Sequence, residues 1–431
     1  MLVFISDLHF TDGTAGEHNV KTGAFNGVLQ DLVVHARKAK AKEVKIIFLG
    51  DIFDLIRTEK WFGIDEDECP WGSNESKIEL NAEGILKDII SKNQTTFDIF
   101  KDENLGKKYG FDVEPERIYI PGNHDRLCNK YESLRAIVRE NLGIKGKKAG
   151  DLFDYRFSDP NYNVLARHGN EFDEYNYEGG KDYESFDAHL RVPLGDPITT
   201  ELVAKLPWAV KNRLIKENIP GVNIDQIYKN FQDIENVRPL EATIIWLFHQ
   251  VQIYRNIDEK LKKIVSDVID EVIKEFEDLK FVRNWYKEHD KLSPMDSADK
   301  VQLALWMLRR LRFDFIEDTL SLIDRIKKLS IGKDNHISAA IREKSFPNIP
   351  QFHVIYGHTH EPRQVPLQVV NGIKHIYLNT GTWRARHRCC ENGYGFITWK
   401  DLTYVIIYNK DESPLGYPTF ETWSGNLKDV D

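Results

Sequence analysis

Two kinds of apolar pattern run along the chain, first alternating and then giving way one to the other. Short unbroken apolar runs occupy Leu2–Ser6 and Val44–Leu49, as in strands buried on both faces. Between them, within Phe25–Ala41, Val28, Leu29, Leu32, Val33 and Ala36 recur at helical spacing. Arg57–Ser76, with Trp61, Trp71 and several acids, reads as an irregular loop, and Ile78–Phe100 as a less regular helix. Arg117–Ile120 predicts a third strand and Tyr131–Leu142 an amphipathic helix. Asp154–Phe157 and Asn163–Arg167 predict a strand pair turning through Ser158-Asp159-Pro160-Asn161. Strand, helix and strand in succession favour a parallel sheet with helices on its faces.

From 174 to 346 strand signals become few. Glu241–Ile257, Asp258–Leu279 and Ala298–Leu329 carry apolar residues three and four apart, with a break at Ser293-Pro294-Met295-Asp296-Ser297. This block reads as a cap-like helical insert of domain size between a core part at 1–173 and a second core part at 347–410. Strands then resume at Phe352–Tyr356, Gln364–Val370, His375–Asn379, Tyr394–Trp399 and Thr403–Tyr408. Residues 411–431 contain Pro, Gly and acids and read as a loosely held tail. The expected class is α/β.

Length agrees: 431 residues exceed a typical single domain, and 41% hydrophobic content supports a sizeable core. The formal net charge of -9 disfavours non-specific nucleic-acid binding, although a local basic cleft is compatible with it. Cys69, Cys128, Cys389 and Cys390 show no Cys-x-x-Cys spacing, so free thiols are expected rather than a zinc ribbon or a disulfide framework. The N-terminal apolar run lacks a basic region and is too short for a signal peptide, and no segment reaches the roughly 18 apolar residues of a membrane span. A soluble, cytoplasmic protein without membrane association is expected.

The polar residues that follow the apolar runs carry the chemistry. They are Asp7-Leu8-His9, Gly50-Asp51-Ile52-Phe53-Asp54, Gly122-Asn123-His124-Asp125, His168-Gly169 and Gly357-His358-Thr359-His360. Oxygen and imidazole ligands of this kind bind divalent cations. Two residues apart at a strand end, Asp7 and His9 reach to one side of the chain, and His358 and His360 repeat the device. Ligands in open α/β sheets lie beyond the carboxyl ends of strands, where several separate strands deliver these groups to one edge.

Together and in this order the five pieces resemble the calcineurin-like metallophosphoesterases, over 1–173 and 350–410 but not the helical block. The resemblance implies a β-sandwich flanked by helices and two divalent metals, manganese first, with iron, zinc or magnesium as alternatives. It implies one metal on Asp7, His9, Asp51 and His360, and another on Asp51, Asn123, His168 and His358, with Asp51 bridging. A metal-bound hydroxide would attack phosphorus. His124 would face the phosphate as charge stabiliser or proton donor, oriented by Asp54. The implied activity is hydrolysis of a phosphodiester or nucleotide-type phosphoanhydride. A phosphomonoesterase or protein phosphatase, a nuclease, and a non-catalytic binding module are the alternatives. Gly-Asp-Ile-Phe-Asp followed by Leu55 is nearer the branch containing the UDP-diacylglucosamine pyrophosphohydrolases, which are shorter and lack such an insert.

Arg384, Arg386 and Arg388 read either as a solvated basic loop or as a loop over the cleft that helps bind a phosphate-bearing substrate. Arg126, beside His124, and Arg167, beside His168, are similar candidates. His18, His249, His289, His336 and His353 belong to no motif, and Asp187 with His189 reads as a coincidental Asp-x-His.

Overall fold

Alternate residues of the first strand face opposite ways, and each way is apolar. In β1 (Leu2–Ile5), Leu2 and Phe4 face one apolar layer, while Val3 and Ile5 face another. In β2 (Lys45–Leu49), Ile47 and Leu49 join the first layer and Ile46 and Phe48 the second. A strand apolar on both faces must be covered on both, which is the physical content of an unbroken apolar run. The computed structural model describes all residues except 17–18, 147, 239–241, 256–258, 291–295, 311–334, 347–349, 391–394 and 426–431.

The fold is mixed α/β. One five-stranded sheet has the order β13 (Thr419–Gly425), β12 (Leu402–Tyr408), β1, β2, β3 (Glu116–Ile120), with β1, β2 and β3 parallel. The other runs β4 (Phe157–Asp159), β5 (Val164–Ala166), β7 (Gln351–Tyr356), β9 (Ile373–Asn379), β8 (Arg363–Val370), with β5, β7 and β9 parallel. They face each other across one layer to which Leu2, Phe4, Ile47 and Leu49 contribute from the first sheet and Val164, Ala166, Ile355 and Leu378 from the second. The outer face of the first sheet packs on the helices Thr22–Ala39, Glu75–Lys92, Gln94–Phe100 and Glu132–Leu142. The outer face of the second meets the helix His336–Arg342.

The insert forms its own apolar cluster, built from helices that include Lys205–Glu217, Ala242–Arg255, Glu259–Asp278 and Ser297–Arg310. The predicted helices at 241–257 and 258–279 are found within a residue or two. That at 298–329 is a helix as far as Arg310, and the remainder, like 293–295 of the predicted break and His18, lies outside the described residues. The insert is not wholly helical: β6 (Val237–Arg238) pairs in parallel with β10 (Ala385–Cys389), which also pairs with β11 (Phe396–Lys400).

Several readings are corrected. Arg384–Arg388 is no solvated loop: Ala385–Cys389 is a strand and Arg384 and Arg386 are buried, because Glu235 and Asp401 offer them carboxylates inside the fold. Residues 419–425 of the expected tail form β13, whose whole length pairs with β12. Residues 78–100 make two helices, broken at Asn93, whose side chain bonds Thr11 O and Ile89 O instead of facing solvent. Trp61 and Trp71 are core residues. Among the described residues, no helix is long and apolar enough to cross a membrane.

Candidate metal centre

Five parallel strand ends, β1, β2 and β3 from one sheet and β5 and β7 from the other, open on one edge of the sandwich. Backbone hydrogen bonds tie the following loops together: Asp7 N to Gly50 O at 3.1 Å, His9 N to Asp51 O at 2.9 Å, Gly357 N to His168 O at 2.8 Å. All seven predicted metal ligands, with Asp54 and His124, are gathered there.

Their backbone is unusual. Of nine non-glycine residues with positive φ among the described residues, five are Asp7 (51°), His9 (47°), Asp51 (53°), His358 (66°) and His360 (59°). Each such conformation costs on the order of 1–3 kcal/mol and persists only where surrounding structure enforces it. Close approach is part of that enforcement. A Cβ on Gly50 would lie 2.2 Å from His168 Nδ1, and one on Gly122 would lie 2.3 Å from Asp51 Oδ1.

The polar atoms are sorted in a consistent way, one tied to protein and the other left facing its fellows. Asp7 Oδ2 accepts from Ser6 Oγ and from His358 N (3.1 Å), while Asp7 Oδ1 has no hydrogen-bond partner. His168 donates Nδ1–H to Leu49 O at 2.9 Å, leaving Nε2 without a partner, 3.2 Å from Asp51 Oδ2. Asn123 donates Nδ2–H to Asn176 Oδ1 at 3.1 Å, leaving Oδ1 without one. Buried polar atoms are ordinarily satisfied, so three convergent orphans ask for a ligand.

Two groups can each hold a metal ion: Asp7, His9 and His360, and Asp51, His168 and His358. Asp51 Oδ2 faces both, at 3.7 Å from His9 Nε2 and 3.2 Å from His168 Nε2. His9 Nε2 and His360 Nε2 lie 3.0 Å apart, both near Asp7 Oδ1 (3.8 and 3.3 Å). A third combination, His9, Asp54 and His124, has the right spacing. There, however, Asp54 is already spent: Oδ2 on His9 Nδ1 (3.1 Å) and Oδ1 on His124 Nδ1 (2.9 Å). This carboxylate orients two imidazoles, one more than its motif position suggests.

Charge is distributed to match. Burial holds His9 down to about 3 and also lowers His358 and His360, so these imidazoles are neutral and carry free lone pairs. Burial alone would raise Asp51, but His168 and His124 outweigh it and hold the carboxyl below its usual range. Burial opposes charge on His124 and His168 too, yet Asp54 and Asp51 raise them to about 9 and about 10; on His168 that proton would sit on Nε2 against Asp51 Oδ2, in the place a cation would take. Positive charge is thus what this edge requires.

The motifs did not announce every participant. Asp125 accepts from Ile52 N (2.9 Å) and Gly122 N, bracing the Asp51 turn. Asp173 Oδ2 takes His358 Nε2 at 3.0 Å and Asn176 Nδ2 at 2.9 Å, so Asn123 and His358 are linked through residues where the insert begins. Arg238, in the insert, lies against His360 Nδ1; with His360 neutral, a lone pair on Nε2 for a metal requires the proton on Nδ1, so this is a close contact and not a hydrogen bond. Asp125 stands in the Gly-Asn-His-Asp piece, where the resemblance implies no role for it; Asp173 and Arg238 belong to none of the five motifs.

The substrate-facing arginines fare differently. Arg126 is buried and committed to Asp196 (2.7 Å) and Leu190 O (3.0 Å), so it fastens the insert instead of facing a cleft. Arg386 pairs with Asp401 over the Trp399 ring. Arg167 is held by Glu343 (3.1 Å) and Glu184. Arg384 is buried beside the centre, 3.1 Å from Glu235. Among the remaining histidines, His353 and His336 are core, and His189 stacks on Tyr155 at 3.8 Å, away from Asp187. No model of a known protein family matches this chain, and no curated protein does.

Proposed function

We propose that the protein is a calcineurin-like metallophosphoesterase that hydrolyses a phosphodiester or nucleotide-type phosphoanhydride with two divalent cations, manganese first. The observation that carries this reading is the Asp51 carboxylate, whose Oδ2 stands between two separate ligand groups. Each group offers two histidines and one aspartate, and a carboxylate shared between them would suit two divalent cations. Asp7, His9 and His360 would hold one with Asp51; Asn123, His168 and His358 would hold the other. Cations bound there lower the pKa of water and neutralise phosphate charge.

The chain's own residues do the rest. Asp54 fixes His124 through Nδ1 and so leaves Nε2 for the substrate. The His124 side chain, at 18% exposure, is more open than those of His358 and His360. Protonated at neutral pH, it stabilises charge on the phosphate and gives a proton to the leaving oxygen. Asp51 Oδ1 accepts His124 N at 2.9 Å, so ligand and proton donor are positioned by one turn. Asn176 and Arg238 bring the insert to the rim, which favours a selective small-molecule pocket over the open cleft of a protein phosphatase.

The test is hydrolysis of bis-p-nitrophenyl phosphate and p-nitrophenyl phosphate by metal-stripped protein with and without Mn²⁺. Diester turnover that requires metal supports the reading. Turnover of the monoester alone replaces it with a phosphomonoesterase, and two bound metals with no turnover of either ester replace it with a binding module.

A further inference from the structure

Three arginines from distant parts of the chain meet around one carboxylate next to His360. Arg57 follows the Asp51 loop, Arg238 lies in β6 of the insert, and Arg384 immediately precedes β10. Glu235 is their hub: its side chain pairs with Arg57 and with Arg384 (3.1 Å), and its backbone carbonyl accepts from Arg238 (2.8 Å). Arg57 and Arg384 are buried; Arg238 is partly exposed at the rim.

Charge does not balance here. Among the described residues, Arg238 has no carboxylate within ion-pair distance and donates to the carbonyls of Glu235 and Val237, with His360 Nδ1 beside it. Asp54, 3.6 Å from Arg57, is already shared by two imidazoles. Other acids nearby are paired: Asp401 with Arg386, Glu361 with Arg363 (2.7 Å) and Asp233 with His387 (3.5 Å); Asp12, bonded to the hydroxyls of Thr58 (2.6 Å) and Thr14 (2.8 Å), keeps its charge toward Arg57, which leaves three guanidinium groups against Glu235 and Asp12. Nε and Nη2 of Arg57, and Nε of Arg384, have no hydrogen-bond partner. Clustered guanidinium groups with spare donors are suited to phosphate, whose oxygens match their planar fork.

We propose that Arg57, Arg238 and Arg384 form an anion subsite beside the metal centre, which receives the non-reacting phosphate of a diphosphate-type substrate. The place of that phosphate in a substrate rests on the hydrolase reading above; binding of the anion itself does not. The subsite lies on the His360 side, so the reacting phosphate sits between it and His124. A substrate with two linked phosphates spans both, which narrows the class from phosphodiesters in general to phosphoanhydrides.

The decisive experiment is calorimetric titration of metal-stripped, full-length protein with pyrophosphate, in which hydrolysis plays no part. Wild type binds it, and Arg238→Ala weakens binding by roughly tenfold or more, the loss of a charge-assisted contact. Glu235→Gln, which removes the one shared carboxylate, shifts affinity the other way. Should Arg238→Ala fold poorly by circular dichroism, the Glu235→Gln direction decides alone. No binding by wild type, or equal binding by wild type and both variants, overturns the subsite. In Mn²⁺-loaded enzyme, pyrophosphate competes with the ester substrate if the subsite belongs to the substrate. Noncompetitive inhibition overturns that assignment and makes free phosphate an effector. Absence of all ester turnover bears on the hydrolase reading and leaves the titration intact.

Discussion

The strand-end edge and the helical insert are built on opposite terms. At the edge, strained backbone, near-contact glycines and orphaned polar atoms are packed into a few loops, and the local structure is far from its intrinsic preference. The insert is locally at ease: its longest described helix, Glu259–Asp278, buries one apolar face through Leu261, Ile264, Val265, Val268, Ile269 and Val272. Yet the insert is no passive attachment. It sends Arg238 to His360, Asn176 to Asn123, Asp196 to Arg126 and Thr200 to the Ile56 carbonyl (2.7 Å). The candidate ligands thus sit where structure is strained, and the insert reaches them from where it is relaxed.

That contrast predicts a ranking of substitutions. Asp51→Asn has the largest effect, because it weakens both ligand groups: metal content by mass spectrometry falls for both sites and turnover drops to background. Retention of both metals would break the bridging assignment. His124→Ala costs about 10²- to 10⁴-fold in turnover with metal content unchanged; loss of metal as well would make His124 a ligand. Asp173→Ala, at the seam between the two regions, lowers metal affinity by about 10- to 100-fold through His358 and Asn176. Wild-type affinity in that variant would mean the seam carries no orientation.

Leu214→Ala, fully buried in the insert's cluster, costs about 2–5 kcal/mol in urea unfolding while the folded protein keeps its metals. Metal loss there would erase the distinction between the regions. The smallest effect concerns acid. Burial holds His353 down to about 4, against 6.5 for a free imidazole. The unfolded chain therefore binds the extra proton between those values, and stability falls as pH drops through that window. His353→Phe makes unfolding midpoints less sensitive to pH across it; an unchanged slope would assign the sensitivity to other groups.

The readability of each part followed from the range of its interactions. Strand cores were legible because burial on both faces leaves an unbroken apolar run, and the long insert helices because apolar residues recur three and four apart; neither signal needs a partner to be seen. β10 and β13 were missed for a related reason. Their residues, Ala385–Cys389 and Thr419–Gly425, are polar or only partly buried, so pairing with β6, β11 and β12 made them strands, not composition.

By itself the sequence determined which residue types stand at the strand ends, and the order of the five motifs named all seven candidate ligands together with His124 and Asp54. A glycine before an aspartate or an asparagine, or two histidines one residue apart, is a local fact that survives in one dimension. Tertiary structure alone decided that Asp54 holds two imidazoles, that Arg126 is an internal fastener, and that Arg57, Arg238 and Arg384 share Glu235. An arginine's role depends on which carboxylate comes within a few ångströms of its guanidinium. Here those carboxylates lie as far along the chain as Glu235 is from Arg57, so only folding could assign them.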